Sequence, residues 1–177
     1  MASVEKKENV MKEFTRISVS ELDPVFDKIG KEWMLISAAD GESANTMTAS
    51  WGGMGVLWNL PVATCYIRPQ RYTCPLVEAG ERISLAFLGE EHRAALTYCG
   101  RHSGREGNKF EAAGLRCAWE DGVPYPEEAH TVLICRKLYA GTLRKEEFID
   151  DTLLGHYPTE DFHRVFTCHI EKVLVRK

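Results

Sequence analysis

A mainly β protein, its strands closed or partly closed into a barrel with short helices at the rim, is the fold class this sequence predicts. Three observations carry the prediction. About six runs have strand chemistry, several with clean period-two alternation. The helix-like stretches are short, and each runs up to a glycine. Strands and helices do not alternate as a regular βαβ series, which argues against a doubly wound sheet. At 177 residues the chain has the size of one domain and buries a core without needing disulfides or a structural metal. No repeat, low-complexity run or Pro/Gly/Ser-rich linker interrupts it. The expected organisation is a loose segment over residues 1–9 and a single domain over 10–177.

The elements follow in chain order. Asp23-Pro24 reads as an N-cap with proline at the first helical position, and Gly30 as the stop. Trp33–Ala39 is an apolar run that ends on the turn dipeptide Asp40-Gly41. Asn45–Trp51 reads as extended, and Gly52-Gly53-Met54-Gly55 as a glycine-rich turn. Val62–Ile67 is β-branched and aromatic. Arg71–Ala79 before Gly80 reads as a helix. In Arg82–Leu88, Ile83, Leu85 and Phe87 alternate with Arg82, Ser84 and Ala86. Glu90–Cys99 before Gly100, and Gly107–Ala113 before Gly114, read as helices. Thr131–Leu143 is a long strand, and Glu146–Leu154 before Gly155 the last helix. In His163–Val175, Phe166, Cys168 and Ile170 alternate with Thr167, His169 and Glu171.

Charge is balanced but unevenly placed. Lys and Arg total 22 against 26 Asp and Glu, a formal net charge of -4. A nucleic-acid binder would carry a basic excess, so that class is set aside. From Ser43 to Ile67, 25 residues hold no charge and no histidine. Asn45, Thr46, Thr48, Ser50, three glycines, Asn59 and Pro61 make this stretch too polar for a membrane span. The charged N-terminus lacks the apolar run of a signal peptide, so the expected location is the cytoplasm. The six cysteines have no C-x-x-C or zinc-ribbon spacing, and free, mostly buried thiols are expected over disulfides.

Several stretches carry candidate chemistry, each with a plainer alternative. As a strand, Asn45–Trp51 puts Thr46, Thr48 and Ser50 on one face and Met47, Ala49 and Trp51 on the other. Three hydroxyls in line suit either a polar, uncharged ligand or an ordinary solvent-facing strand. Gly53 and Gly55 begin a dinucleotide-binding fingerprint, but Trp58 holds its third glycine position and no long helix follows. Arg68-Pro69-Gln70-Arg71-Tyr72-Thr73, between a strand and a helix, reads as a phosphate-binding turn or as a capped helix with surface arginines. Arg101, Arg105 and Lys109, with one acid, Glu106, among them, form a basic loop in an acidic chain: an anion site or a mobile surface loop. Cys99 with His102, and His163 with Cys168 and His169, fall short of a metal-ligand set, and no metal site is expected. No Ser-His-Asp or Cys-His pattern marks a catalytic group.

Taken together, the run from Asn45 to Gly55, the segment from Arg68 to Thr73, and Cys99-Gly-Arg-His-Ser-Gly-Arg105 with Lys109 resemble the flavin reductase-like family. The likeness is greatest to the flavoredoxin-type branch of FMN-binding split-barrel proteins, and it covers about Trp33 to Leu115. The resemblance implies a Greek-key split β-barrel, a homodimer, and FMN bound near the dimer interface. It implies an NAD(P)H-dependent flavin reductase, with NADH or NADPH delivering hydride to flavin N5, or alternatively a non-catalytic electron carrier between protein partners. It implies that Thr46, Thr48 and Ser50 lie along the flavin and its ribityl chain, with Asn45, Met47 and Trp51 around them. Arg68, Arg71, Tyr72 and Thr73 would take the phosphate end, and Ser103, Arg105 and Lys109 would close over the cofactor. Lys109 or Arg105 would be the cation that favours reduced anionic flavin.

Overall fold

The computed structural model describes residues 24–41 and 43–176. The expected loose segment 1–9 and the Asp23 cap lie outside the described residues. Among the described residues nine strands form: β1 (Met34–Asp40), β2 (Ser43–Ala49), β3 (Gly52–Leu57), β4 (Leu60–Ile67), β5 (Arg82–Phe87), β6 (Cys117–Glu120), β7 (Val123–Pro126), β8 (Thr131–Thr142) and β9 (Arg164–Val175). The α-helices are short: α1 (Val25–Asp27), α2 (Thr73–Ala79), α3 (Arg93–Arg101) and α4 (Lys109–Ala112). Seven strands make one antiparallel sheet in the order β2-β1-β5-β8-β9-β4-β3, and β6 and β7 form a separate hairpin.

This order closes the sheet. β2 and β3 are its two edges, yet only Ser50 and Trp51 join them. Three Cα steps reach no further than about 11 Å. The edges must therefore curl together, making a barrel with a seam at which no ladder forms between β2 and β3. The expected split β-barrel is the observed fold.

Alternation along the strands then sorts the side chains. Ile36, Met47, Ala63, Cys65, Ile83, Leu85, Phe87, Cys135, Phe166 and Cys168 fill the interior, with Cys74, Leu76 and Val77 from α2. A second apolar layer lies outside the sheet, where Leu35, Ala86 and Ile134 meet Leu96 and Cys99 of α3 and Phe110 of α4. Every residue of β5 after Arg82 is buried because that strand is covered on both faces. All six cysteines are free thiols, five of them buried.

Four sequence expectations need correction. Gly30 does not end the first helix, which continues as a wider π turn over Lys28–Glu32. The chain instead turns at Trp33, held at a φ of 70° with its ring 4.3 Å from the Arg93 guanidinium. The Gly52–Gly55 run is a strand, because pairing with β4 outweighs its poor propensity. Gly100 lies inside α3, whose last carbonyls are capped by side chains rather than released to a glycine turn. The single helix expected over Glu146–Leu154 is two 3₁₀ turns, Lys145–Glu147 and Asp151–His156, the second restarted by the Asp150 carboxylate accepting from Thr152 N–H at 3.0 Å. The β6–β7 hairpin, absent from the sequence expectation, turns on Asp121-Gly122 with φ of 50° and 74°.

Gly52 stands at the seam, where a Cβ would lie 2.7 Å from the Thr64 carbonyl oxygen; at Gly53 nothing comes within 4 Å. Gly52→Ala is expected to cost about 1–3 kcal/mol and Gly53→Ala less than about 1 kcal/mol, read from urea midpoints. Equal midpoints for the two variants would contradict this account of the seam.

Candidate functional site

Three adjoining concavities lie along the seam. The first is a groove of about 240 Å³ between the end of β2 and the segment after β4, lined by Thr48, Ser50, Trp51, Arg68, Arg71 and His163, with Met47 from the barrel core. The second is a cavity of about 170 Å³, basic on balance, whose walls include Asn45, Arg71, Tyr72, Thr73, Ser103 and Lys109, with one acid, Glu106. The third, about 680 Å³ and mainly apolar, shares Ser50, Trp51 and Tyr66 with the groove. The residues singled out in the sequence are thus brought together, with two exceptions.

Thr46 lines none of these spaces. It is fully buried, its hydroxyl accepting from Ser37 Oγ at 2.9 Å and donating to the Ile36 carbonyl. Arg105 is exposed; it donates to the Gln70 carbonyl, with its guanidinium 5.3 Å from the Tyr72 ring centre. The three hydroxyls therefore do not act as one row: Thr46 is sealed in the fold, while Thr48 and Ser50 stay half-buried on the groove wall. Helix α3 packs against Thr48, whose Oγ1 donates to the Leu96 carbonyl. Among the described residues, only Ser50 of the three has no side-chain hydrogen bond.

The basic cavity has an unusual charge arrangement. Arg71 donates to the Gly100 carbonyl at 2.7 Å and to that of Cys99 at 3.2 Å, and Lys109 Nζ donates to Cys99 at 2.6 Å. Both cations thus serve the unpaired acceptors at the C-terminus of α3. Lys109 is only 3 % exposed, and among the described residues neither cation forms an ion pair within 4 Å. Burial pushes the Lys109 ammonium down to about 8, and Arg71 beside it adds to the shift. Burial likewise lowers Arg71. Asn45 Nδ2 donates to Thr73 Oγ1 at 2.7 Å, and Ser103 caps the turn after α3 by accepting from Arg105 N–H at 3.2 Å. A Cβ on Gly104 would come within 2.4 Å of Asn45 Oδ1, so the loop seats directly on these residues.

Arg68 is placed differently. It pairs with Asp161, donates to the His156 carbonyl at 2.8 Å, and lies 5.2 Å from the Tyr157 ring centre. Its charge is balanced, and the hydrogen bonds from Arg68 and Gln70 hold the Asp161 carboxyl down at about 2. Arg68 therefore ties down the segment that brings Tyr157 and His163 to the seam. Sequence reasoning gave no site role to Tyr66, Tyr157 or His163, the last weighed only as a metal ligand, because none of them carries a local motif. Among the described residues, no three His, Cys, Asp or Glu side chains are grouped to hold a metal, and no helix is long and apolar enough to cross a membrane.

Comparison with known proteins bears on this geometry. A family model for the flavin reductase like domain matches residues 26–177. Among solved structures, an FMN-binding protein from Thermus thermophilus with bound p-hydroxybenzaldehyde is similar, with a TM-score of 0.66 and 23% identity over 82% of this chain and 71% of that one. A flavoredoxin from Methanosarcina acetivorans follows at a TM-score of 0.64 and 20% identity, covering 82% and 69%. A putative flavin reductase with a split barrel domain from Shewanella frigidimarina gives a TM-score of 0.66 at 15% identity, covering 91% and 76%. At these identities the likeness is one of fold. No curated protein matches.

His163 is buried, with Nδ1 2.8 Å from the Tyr157 hydroxyl and its ring 5.0 Å from that of Trp51. Burial, with Arg68 nearby, lowers its pKa to about 4, so it is neutral at pH 7. Its folded value lies below its unfolded one, so its contribution is complete above about pH 6.5 and is lost as the pH falls towards 4. His163→Gln is expected to remove about 1–2 kcal/mol of the stability lost between pH 7 and pH 4.5. Parallel urea-midpoint profiles for the two proteins would refute the assignment.

Proposed function

Because the chain belongs to the flavin reductase-like domain family, we propose that it is an FMN-binding oxidoreductase whose cofactor lies along the seam. The observation that carries this reading is buried Lys109 beside half-buried Arg71 at a polar cavity, with Glu106 on its wall but neither cation in an ion pair within 4 Å among the described residues. A bound phosphate would supply the missing negative charge. Asn45, Tyr72, Thr73 and Ser103 line the same cavity and would complete that end. Thr48, Ser50 and Trp51 would hold the uncharged remainder, which suits a groove whose strand face carries no charge. In this reading Lys109 serves the phosphate with Arg71 rather than the ring edge, and Arg68 positions the His163 segment rather than the phosphate.

When bound, FMN would supply the redox chemistry, with NADH or NADPH as the hydride donor. The chain binds and orients the cofactor, and His163 stays neutral beside Trp51. The 680 Å³ cavity next to the groove favours an enzyme over an electron carrier, which needs no such space. Free thiols suit a reducing compartment such as the cytoplasm. The reading includes a homodimer: Val56, Leu57 and Trp58 at the β3–β4 turn are 78%, 42% and 57% exposed, an apolar tip suited to a second copy.

Bleaching of bound-flavin absorbance by NADH or NADPH is the expected result; bleaching by dithionite alone would favour the carrier, and failure to bind FMN would remove both readings. Lys109→Met and Arg71→Met should each weaken FMN binding by about 10–100-fold. Riboflavin, which lacks the phosphate, should bind the variants and wild type alike. FMN affinity should fall as the pH rises through about 8 and Lys109 loses its proton. Apoprotein stability should rise over the same interval, because the buried ammonium is then discharged. For the dimer, Trp58→Asp should lower the mass seen by sedimentation.

A further inference from the structure

The basic end of the seam is spanned by the 3₁₀ turn Gly104–Glu106, which connects α3 to α4. Gly104 presses against the far wall of the cavity. A Cβ there would stand 2.3 Å from Tyr72 Cδ1 and 2.4 Å from Asn45 Oδ1. Asn45 is 3% exposed and donates to Thr73, so it cannot withdraw to make room. The φ of Gly104 lies outside the left-handed region, so the close approach, and not the backbone, calls for glycine.

Two further devices hold the turn in place. Ser103 and Glu106 form a reciprocal capping box, in which the Glu106 carboxylate accepts from Ser103 N–H at 3.1 Å. Arg105 reaches across to the segment before α2, donating to the Gln70 carbonyl at 3.3 Å with its guanidinium 5.3 Å from the Tyr72 ring centre. The turn is thus fastened on both sides of the space it spans.

That space measures about 170 Å³. A cavity of about 150 Å³ takes benzene, so one phosphate group fits, and a diphosphate carrying a nucleoside does not. Charge acts in the same direction. The Ser103 N–H, and then the His102 ring, hold the Glu106 carboxyl below the usual carboxylate range. A second phosphate would share the cavity with this standing negative charge.

We infer that this turn restricts the seam to a flavin ending in a single phosphate, with Gly104 as its seat and Arg105 as its clasp, and so excludes flavin adenine dinucleotide (FAD). The inference rests on the flavin reading and adds which flavin is admitted and which residues decide it.

The test is calorimetric titration of the full chain with FMN, FAD and riboflavin, in the wild type and in Arg105→Ala and Gly104→Ala. Wild type is expected to bind FMN at least about tenfold more tightly than FAD. Each variant should shrink that ratio at least about fivefold, chiefly by raising FAD affinity. Riboflavin binding reports that the flavin end of the seam is intact in each variant. A merely structural role for the turn would weaken FMN and FAD alike; an unchanged ratio in both variants would therefore overturn the inference. FMN binding with no preference over FAD in the wild type would defeat this inference alone. A chain that binds none of the three would defeat the flavin reading and this inference with it.

Discussion

The two-residue link between β2 and β3 is the constraint on which the rest of the molecule depends. Ser50 and Trp51 join the opposite edges of a seven-stranded sheet, so the sheet must curl, and its edges meet without pairing. A fully laddered barrel would have no such opening. The groove and the large cavity both include Ser50 and Trp51 in their walls, because that is where the edges approach. Closure of the barrel and creation of the site are one event.

The cations on one side of the seam show how a structural need and a binding site coincide. Helix α3 ends with unpaired carbonyls against the barrel wall, and Arg71 and Lys109 satisfy them. Stability requires only the hydrogen bonds, which neutral donors would also provide. Two positive charges held there, offset only in part by Glu106 on the cavity wall, raise the cost of burial, visible in the lowered pKa of both groups. An anionic ligand would relieve that cost. Arg68 lacks this property because Asp161 already balances it.

The opposite side is organised by aromatic contacts. Trp51, His156, Tyr157 and His163 pack edge to face or at a tilt, and Phe148 and Phe162 pack on Tyr157. Arg68 anchors this segment from the barrel side. The seam thus runs from a basic end, through uncharged hydroxyl-bearing wall, to an apolar end. That polarity gradient matches a ligand with one charged terminus and a flat neutral body.

Much of this was legible in the sequence. Period-two alternation in Arg82–Leu88 and His163–Val175 identified the inward residues correctly, because a strand's two faces are set by its own spacing. The uncharged stretch from Ser43 to Ile67 marked the seam, and the Arg68–Thr73 and Ser103–Lys109 runs marked its basic end. What the sequence could not decide was which side of each element would be covered. Thr46 and Thr48 look like a free hydroxyl ladder until Thr46 bonds to Ser37 and Ile36 of β1 and Thr48 to Leu96 of α3, 48 positions away. Lys109 reads as one more loop cation until folding buries it against the end of α3. His163 has no motif, since its neutrality comes from burial and from Arg68, 95 positions earlier in the chain. Local pattern determined the strands and the chemistry available. Tertiary packing alone decided which groups were spent on the fold and which stayed open to a ligand, because burial and charge balance belong to residues far apart in sequence.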